Sequence, residues 1–249
     1  LFLIMIEDKN IIDPDTDKHE VAKTFEDHDL LSAAVVDKDG VLLGRITVDD
    51  VVDVIRDEAE DSVLNMAGLN KEDDIFAPIF QSTKRRTVWL GANLLTAILA
   101  AAAIGIFEAT IEKVVALAIL MPIVASMGGI AGMQSLALVI RSQATNQIGE
   151  SNSRLLIIKE SLIGVLNGIL WSSIVAVAVY LWFDSVFLGT VIASALMINL
   201  IIGAISGVSL PLILKKMDID PALAGGVILT TITDIVGFIS LLGVATIIM

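Results

Sequence analysis

The stretch ALAGGVILTTITDIVGFISLLGVATIIM, residues 222–249, holds a single charged side chain, Asp234. At a rise of about 1.5 Å per residue it makes a helix roughly 42 Å long, enough to cross a bilayer with some tilt. Asp234 is the thirteenth of its twenty-eight residues and so falls near mid-membrane. A carboxylate at that depth costs about 2.5–3.5 kcal/mol on insertion scales. Gly226, Thr230 and Gly237 lie at i−8, i−4 and i+3 from it, forming a small and polar stripe that must face protein or water, because lipid cannot satisfy it. Two readings follow. Either Asp234 serves transport, or it is a neutral acid hydrogen-bonded between helices.

The chain has 249 residues, 55% of them hydrophobic, and a mean hydropathy of +0.84, above that of ordinary soluble domains. Its formal charge of −13 is unevenly spread: residues 1–80 carry 21 acids and 7 bases, residues 81–249 carry 8 acids and 9 bases. An acidic soluble segment thus precedes a nearly neutral membrane domain. The acidity repels phosphates, which argues against nucleic acid and favours cations. Without cysteine there is no disulfide, thiolate zinc site or iron–sulfur cluster. His19 and His28 are too isolated for a zinc site. The chain begins with Leu1, and Leu1–Ile6 is too short for a signal-peptide core, so a fragment starting inside a domain is expected.

Further hydrophobic stretches at Val88–Phe107, Val114–Ile140, Leu155–Phe183 and Val186–Leu214 bring the crossings to five. Lys84, Arg85 and Arg86 precede the first; Arg141, Arg154 and Lys159 surround the second link; Lys215 and Lys216 lie in the fourth. The positive-inside rule makes that side cytoplasmic, which puts the acidic segment inside the cell and the C-terminus outside. The second crossing contains Met121-Pro122, which can kink it, and a run of small residues from Ser126 to Ser135. Gly128 and Gly132 form a GxxxG motif with Ser135 on the same face, which permits close helix packing. The length of the run and the polar Gln134 leave open a second role, in which Gly128, Gly129 and Gln134 line a path. Asn167 and Asn199 read as interhelical hydrogen-bond partners.

Residues 11–61 read as a small α/β unit. A helix is predicted over Glu20–Asp27, a hairpin from Ser32–Val36 and Val41–Ile46 around Asp37-Lys38-Asp39-Gly40, and a second helix from Thr47. This order, ending in Gly44-Arg45-Ile46-Thr47-Val48-Asp49-Asp50, resembles a CBS domain. The resemblance implies adenine-nucleotide binding, ATP for instance, through Thr47 and Asp50. The same pair is equally a helix N-cap arrangement. Asp49, Asp53, Asp57 and Glu60 form a stripe at i, i+4, i+8 and i+11, where like charges repel unless a divalent cation is shared. An ordinary solvated face is the alternative. Gly68 breaks the helical pattern, Asn70-Lys71-Glu72-Asp73 can cap a short helix, and Asp73–Gln81 with Pro78 reads as a connector.

Together these features resemble the MgtE family of magnesium channels. The matching residues are Arg86-x-x-Trp89-Leu90-x-x-Asn93-Leu94, Phe107-Glu108-x-Thr110-Ile111, Pro122 with Met127-Gly128-Gly129 and Gly132-x-Gln134, Asp220-Pro221-Ala222, and Thr231-x-x-Asp234-x-x-Gly237. The family usually has Asn where this chain has Ile130, and often Ala-Ser where it has Ala224-Gly225. The fold expected is mainly α: a five-helix transmembrane bundle (88–249) behind a linker (62–87) and a partial, CBS-like α/β cytoplasmic segment (1–61). The resemblance implies a homodimer with the pore on its two-fold axis, lined by crossings two and five. Asp234 would recognise the ion, Asp220 would sit near the cytoplasmic mouth, and Mg2+ on Asp49, Asp57, Glu60 and Asp61 would hold the pore shut. Mg2+ gives up water reluctantly, so two symmetry-related Asp234 carboxylates would grip a hydrated ion through its waters. A proton- or sodium-coupled carrier of another divalent ion such as Co2+ is the alternative. A membrane enzyme lacks a second acid, His or nucleophile at the depth of Asp234.

Overall fold

The structure, a computed structural model, describes residues 11–69, 76–144 and 150–249. They fall into two compact units that part between Leu64 and Asn65.

In the first unit, strands β1 (Ile11–Ile12), β2 (Ser32–Val36) and β3 (Leu42–Thr47) form one sheet in that order, β1 parallel and β3 antiparallel to β2. The register pairs Ala33 with Ile46 and Val35 with Gly44. Helix α1 (Lys18–Asp27) starts where the Asp17 carboxylate accepts from the His19 N–H at 2.8 Å. The hairpin turn is closed by Asp37, whose Oδ1 accepts from Val41 N at 2.8 Å, while Gly40 takes the left-handed conformation, φ 78°. Val21, Ala22 and Phe25 of α1 bury against Ile12, Ala33 and Val51, the last from helix α2 (Val48–Met66). The two-residue β1 has no readable alternation and was not expected. The proposed cap at Asn70-Lys71-Glu72-Asp73 lies outside the described residues.

The second unit is a helical bundle: α3 (Ile79–Gly105), α4 (Glu108–Lys113), α5 (Ala116–Ala144), α6 (Glu150–Phe183), α7 (Val186–Lys216) and α8 (Pro221–Ile248). All but α4 are long and apolar enough to cross a membrane, which makes this a multi-pass membrane protein. Helix α3 begins nine residues before the expected first crossing, inside the stretch read as connector. Pro78 is its N-cap, where the missing N–H of proline has no helical partner to lose. The tight links after α6 and α7 are made by Asp184 (φ 49°) and Asp218 (φ 56°), a residue type that tolerates the left-handed region.

Helix α7 is the hub, packing on α5, α6 and α8. At one end Leu117, Leu120, Val124, Val191, Ile192, Ala195, Leu196, Leu241 and Leu242 form a buried core. Farther along, the helices approach backbone to backbone. A Cβ placed on Gly203 would lie 2.6 Å from the Gly128 carbonyl oxygen, and one on Gly207 would overlap that of Gly132. The GxxxG of α5 thus meets a second GxxxG, Gly203-x-x-x-Gly207 of α7.

A candidate ion path at Asp234

Asp220 and Pro221 fix the start of α8: Asp220 Oδ1 accepts from Ala222 N at 2.8 Å, and Pro221 occupies the first turn. The other oxygen, Oδ2, accepts from the Asn65 side-chain amide at 2.9 Å. Both carboxylate oxygens of Asp220 are therefore engaged in this structure.

Fourteen residues on, Asp234 is half-buried and opens on a groove of about 630 Å3 between α5 and α8. Ser126, Gly129, Ile130, Met133 and Gln134 of α5 line it, together with Thr230 of α8. Among the described residues nothing donates to the Asp234 carboxylate. Thr230 donates instead to its own helix, to Gly226 O at 3.1 Å and Val227 O at 3.0 Å. Thr231 and Thr233 behave likewise, at 2.7 Å to Val227 O and 3.1 Å to Leu229 O. With its hydrogen committed, the Thr230 oxygen offers the groove only lone pairs, as suits a cation.

The six residues suggested for the path do not all lie together. Gly129, Thr230 and Gln134 line the groove with Asp234, and Gly226 borders it, its Cβ position 3.8 Å from Met133 Cε. Gly128 and Gly237 are buried elsewhere, against the Asn199 side chain. Asn199 is fully buried, donates from Nδ2 to Val124 O at 2.8 Å, and so ties α7 to α5 as an interhelical partner. The wheel positions are right for Gly128 and Gly237, but α7 fills the space in front of them. Ile130 lies on the groove wall and is exposed. Gly225 is packed under Leu136.

A second acid lies buried in the membrane bundle. Glu160 of α6 is buried and accepts from Ser135 Oγ at 2.8 Å. In the sequence it stands beside Lys159 at the edge of a crossing, so it reads as a link charge; the small-residue face of α5 carrying Ser135 was the signal that something polar could approach.

In the first unit Asp49, Asp57 and Glu60 are exposed and Asp61 is half-buried, all on α2. The nearby Thr47 hydroxyl, the Asp49 backbone N–H and the charge of Arg45 hold the Asp49 carboxyl below the usual aspartate range. Thr47 and Asp50 form a helix cap: Asp50 Oδ2 accepts from both Thr47 N and Thr47 Oγ1 at 3.0 Å.

The model of the family MgtE, a divalent cation transporter, matches residues 121–244, and that of the CBS domain matches residues 4–57. The chain is similar to proteins named magnesium transporter MgtE: 36% identical over 230 residues to that of Bacillus subtilis (strain 168), covering 92% of this chain and 51% of the relative. Identity is 31% over 233 residues to that of Enterococcus faecalis, with 94% and 51% covered. It is 32% over 233 residues to that of Thermus thermophilus, with 93% and 52% covered. The chain spans about half the length of these curated relatives.

Proposed function

The chain belongs, by its membrane helices, to the MgtE family of divalent cation transporters and carries a CBS domain ahead of them, and from that premise we propose that it is a magnesium channel and not an enzyme. Hydrated Mg2+ passes down its electrochemical gradient through a pore formed where two copies bring their Asp234 grooves together. The observation that carries the reading is the half-buried Asp234 carboxylate, without a donor among the described residues, on a groove of about 630 Å3. Six waters occupy about 180 Å3 at roughly 30 Å3 each, so the groove has room for an ion that keeps its hydration shell. A second Asp234 would double the charge facing the ion and offset the cost of burying either acid.

The segment 1–61 then acts as sensor, 62–87 as coupling and 88–249 as conduit. With the basic links inside, the sensor is cytoplasmic and the C-terminus outside. Mg2+ bound among Asp49, Asp57, Glu60 and Asp61 relieves the repulsion of the acidic stripe and favours the closed pore; its loss favours opening. ATP at Thr47 and Asp50 would compete with the helix cap they form.

Mg2+ flux into proteoliposomes, followed with an encapsulated Mg2+-sensitive dye, tests this. Asp234→Asn keeps the shape and removes the charge, and should lower flux by at least about tenfold, or 1.4 kcal/mol. Neutralising the four head acids together should flatten the inhibition by Mg2+ on their side. Wild-type flux and selectivity in the Asp234 variant would refute the conduit.

A further inference from the structure

A second polar cavity, of about 130 Å3, lies between α5, α6 and α7. It is lined by Gln134 and Ser135 of α5, Glu160 and Asn167 of α6, and Leu200 and Ala204 of α7 among others. Glu160 is 7% exposed and accepts a hydrogen bond from Ser135. Among the described residues no Lys, Arg or His lines the cavity. A charge on a carboxylate so placed calls for a positive partner, because burial of an unpaired charge is heavily disfavoured. The neighbouring groups are those a hard cation takes: a carboxylate, a hydroxyl and the side-chain carbonyls of Gln134 and Asn167.

The available volume chooses among cations. At about 130 Å3 the cavity is roughly a fifth of the Asp234 groove, so it suits a small ion held by its own side chains better than one that keeps a full hydration shell. A bare Mg2+ would need more charge than one carboxylate to leave its water. A monovalent cation needs only a single compensating charge. Gln134 lines this cavity and the Asp234 groove alike, so one side chain borders both compartments.

We propose that the Glu160 cavity is a Na+ site, distinct from the Asp234 groove and adjoining it at Gln134. The site stands on the membrane bundle alone and does not require that Mg2+ be the ion conducted at Asp234. Equilibrium binding of radiolabelled Na+ to the purified full chain in Mg2+-free buffer tests it. Wild type should bind saturably. Glu160→Gln, which keeps an acceptor for Ser135, should weaken binding at least about tenfold. Ser135→Ala, which keeps the carboxylate, should weaken it less, and Asp234→Asn should leave it unchanged. Wild type that binds no Na+ overturns the proposal. So does Na+ binding that survives Glu160→Gln or is lost only in Asp234→Asn. An infrared carboxylic-acid band that is independent of Na+ and disappears in Glu160→Gln identifies a permanently protonated acid, and also overturns it. Failure of Mg2+ flux leaves these outcomes unaffected.

Discussion

Asp234 and Thr230 sit one turn apart on the groove face of α8, and they differ in what the fold asks of them. The Thr230 hydroxyl bonds only carbonyls of its own helix, which already have helical partners, so the fold loses little without it. Thr230→Val keeps the shape and removes the oxygen. We expect unchanged thermal stability and an apparent Mg2+ affinity lowered about three- to tenfold, in keeping with one modest polar contact of about 1 kcal/mol, read from the concentration dependence of flux. Asp234 was legible from sequence because a lone charge in twenty-eight apolar residues stands out. Glu160 was not, because charge counting cannot separate a buried acid from a link acid when Lys159 is its neighbour. What distinguishes them is the partner Ser135, which sits twenty-five residues away.

Between elements, the glycines of α5 and α7 set the spacing, and their contacts make separable predictions. A Cβ on Gly128 overlaps the end of the Asn199 side chain, whereas one on Gly207 overlaps the backbone oxygen of Gly132. Gly128→Ala should therefore destabilise the bundle by about 1–3 kcal/mol, as overpacking does, and Asn199→Ala in the same chain should recover part of that loss. Gly207→Ala meets backbone and should not be recovered by any side-chain change. Thermal unfolding of the single and double variants in detergent checks both. The crossings were legible because length and hydropathy alone define them. The second GxxxG was visible as Gly203-x-x-x-Gly207, yet spacing does not say which helix it meets. That pairing is what turns Gly128 away from the groove, while Gly237 is turned away by the Asn199 side chain. The start of α3 is not legible because Asp73–Gln81 with Pro78 reads as a connector, although proline at a helix start costs nothing.

For the whole molecule, the Asp234 groove is open on one side in a single chain, and Ile130 stands exposed on its wall where the resemblance leads one to expect a polar residue. A two-fold pairing across the groove would bring two Ile130 side chains together and supply the apolar contact that an Asn would not. The chain contains no cysteine, so Ile130→Cys introduces a unique thiol. A short bifunctional thiol reagent should then link it into dimers in membranes, and Ile247→Cys, also exposed and at the far end of α8, should link far less. Monomer only from both positions would count against the paired groove. The interlocked carbonyls and glycines of α5 and α7 carry one further consequence. Two rods that touch main chain to main chain cannot slip past one another by small increments, since each notch is an oxygen seated against a bare α-carbon. Any widening at the acid must then leave that pair intact as a fixed wall, and come from the opposite bank.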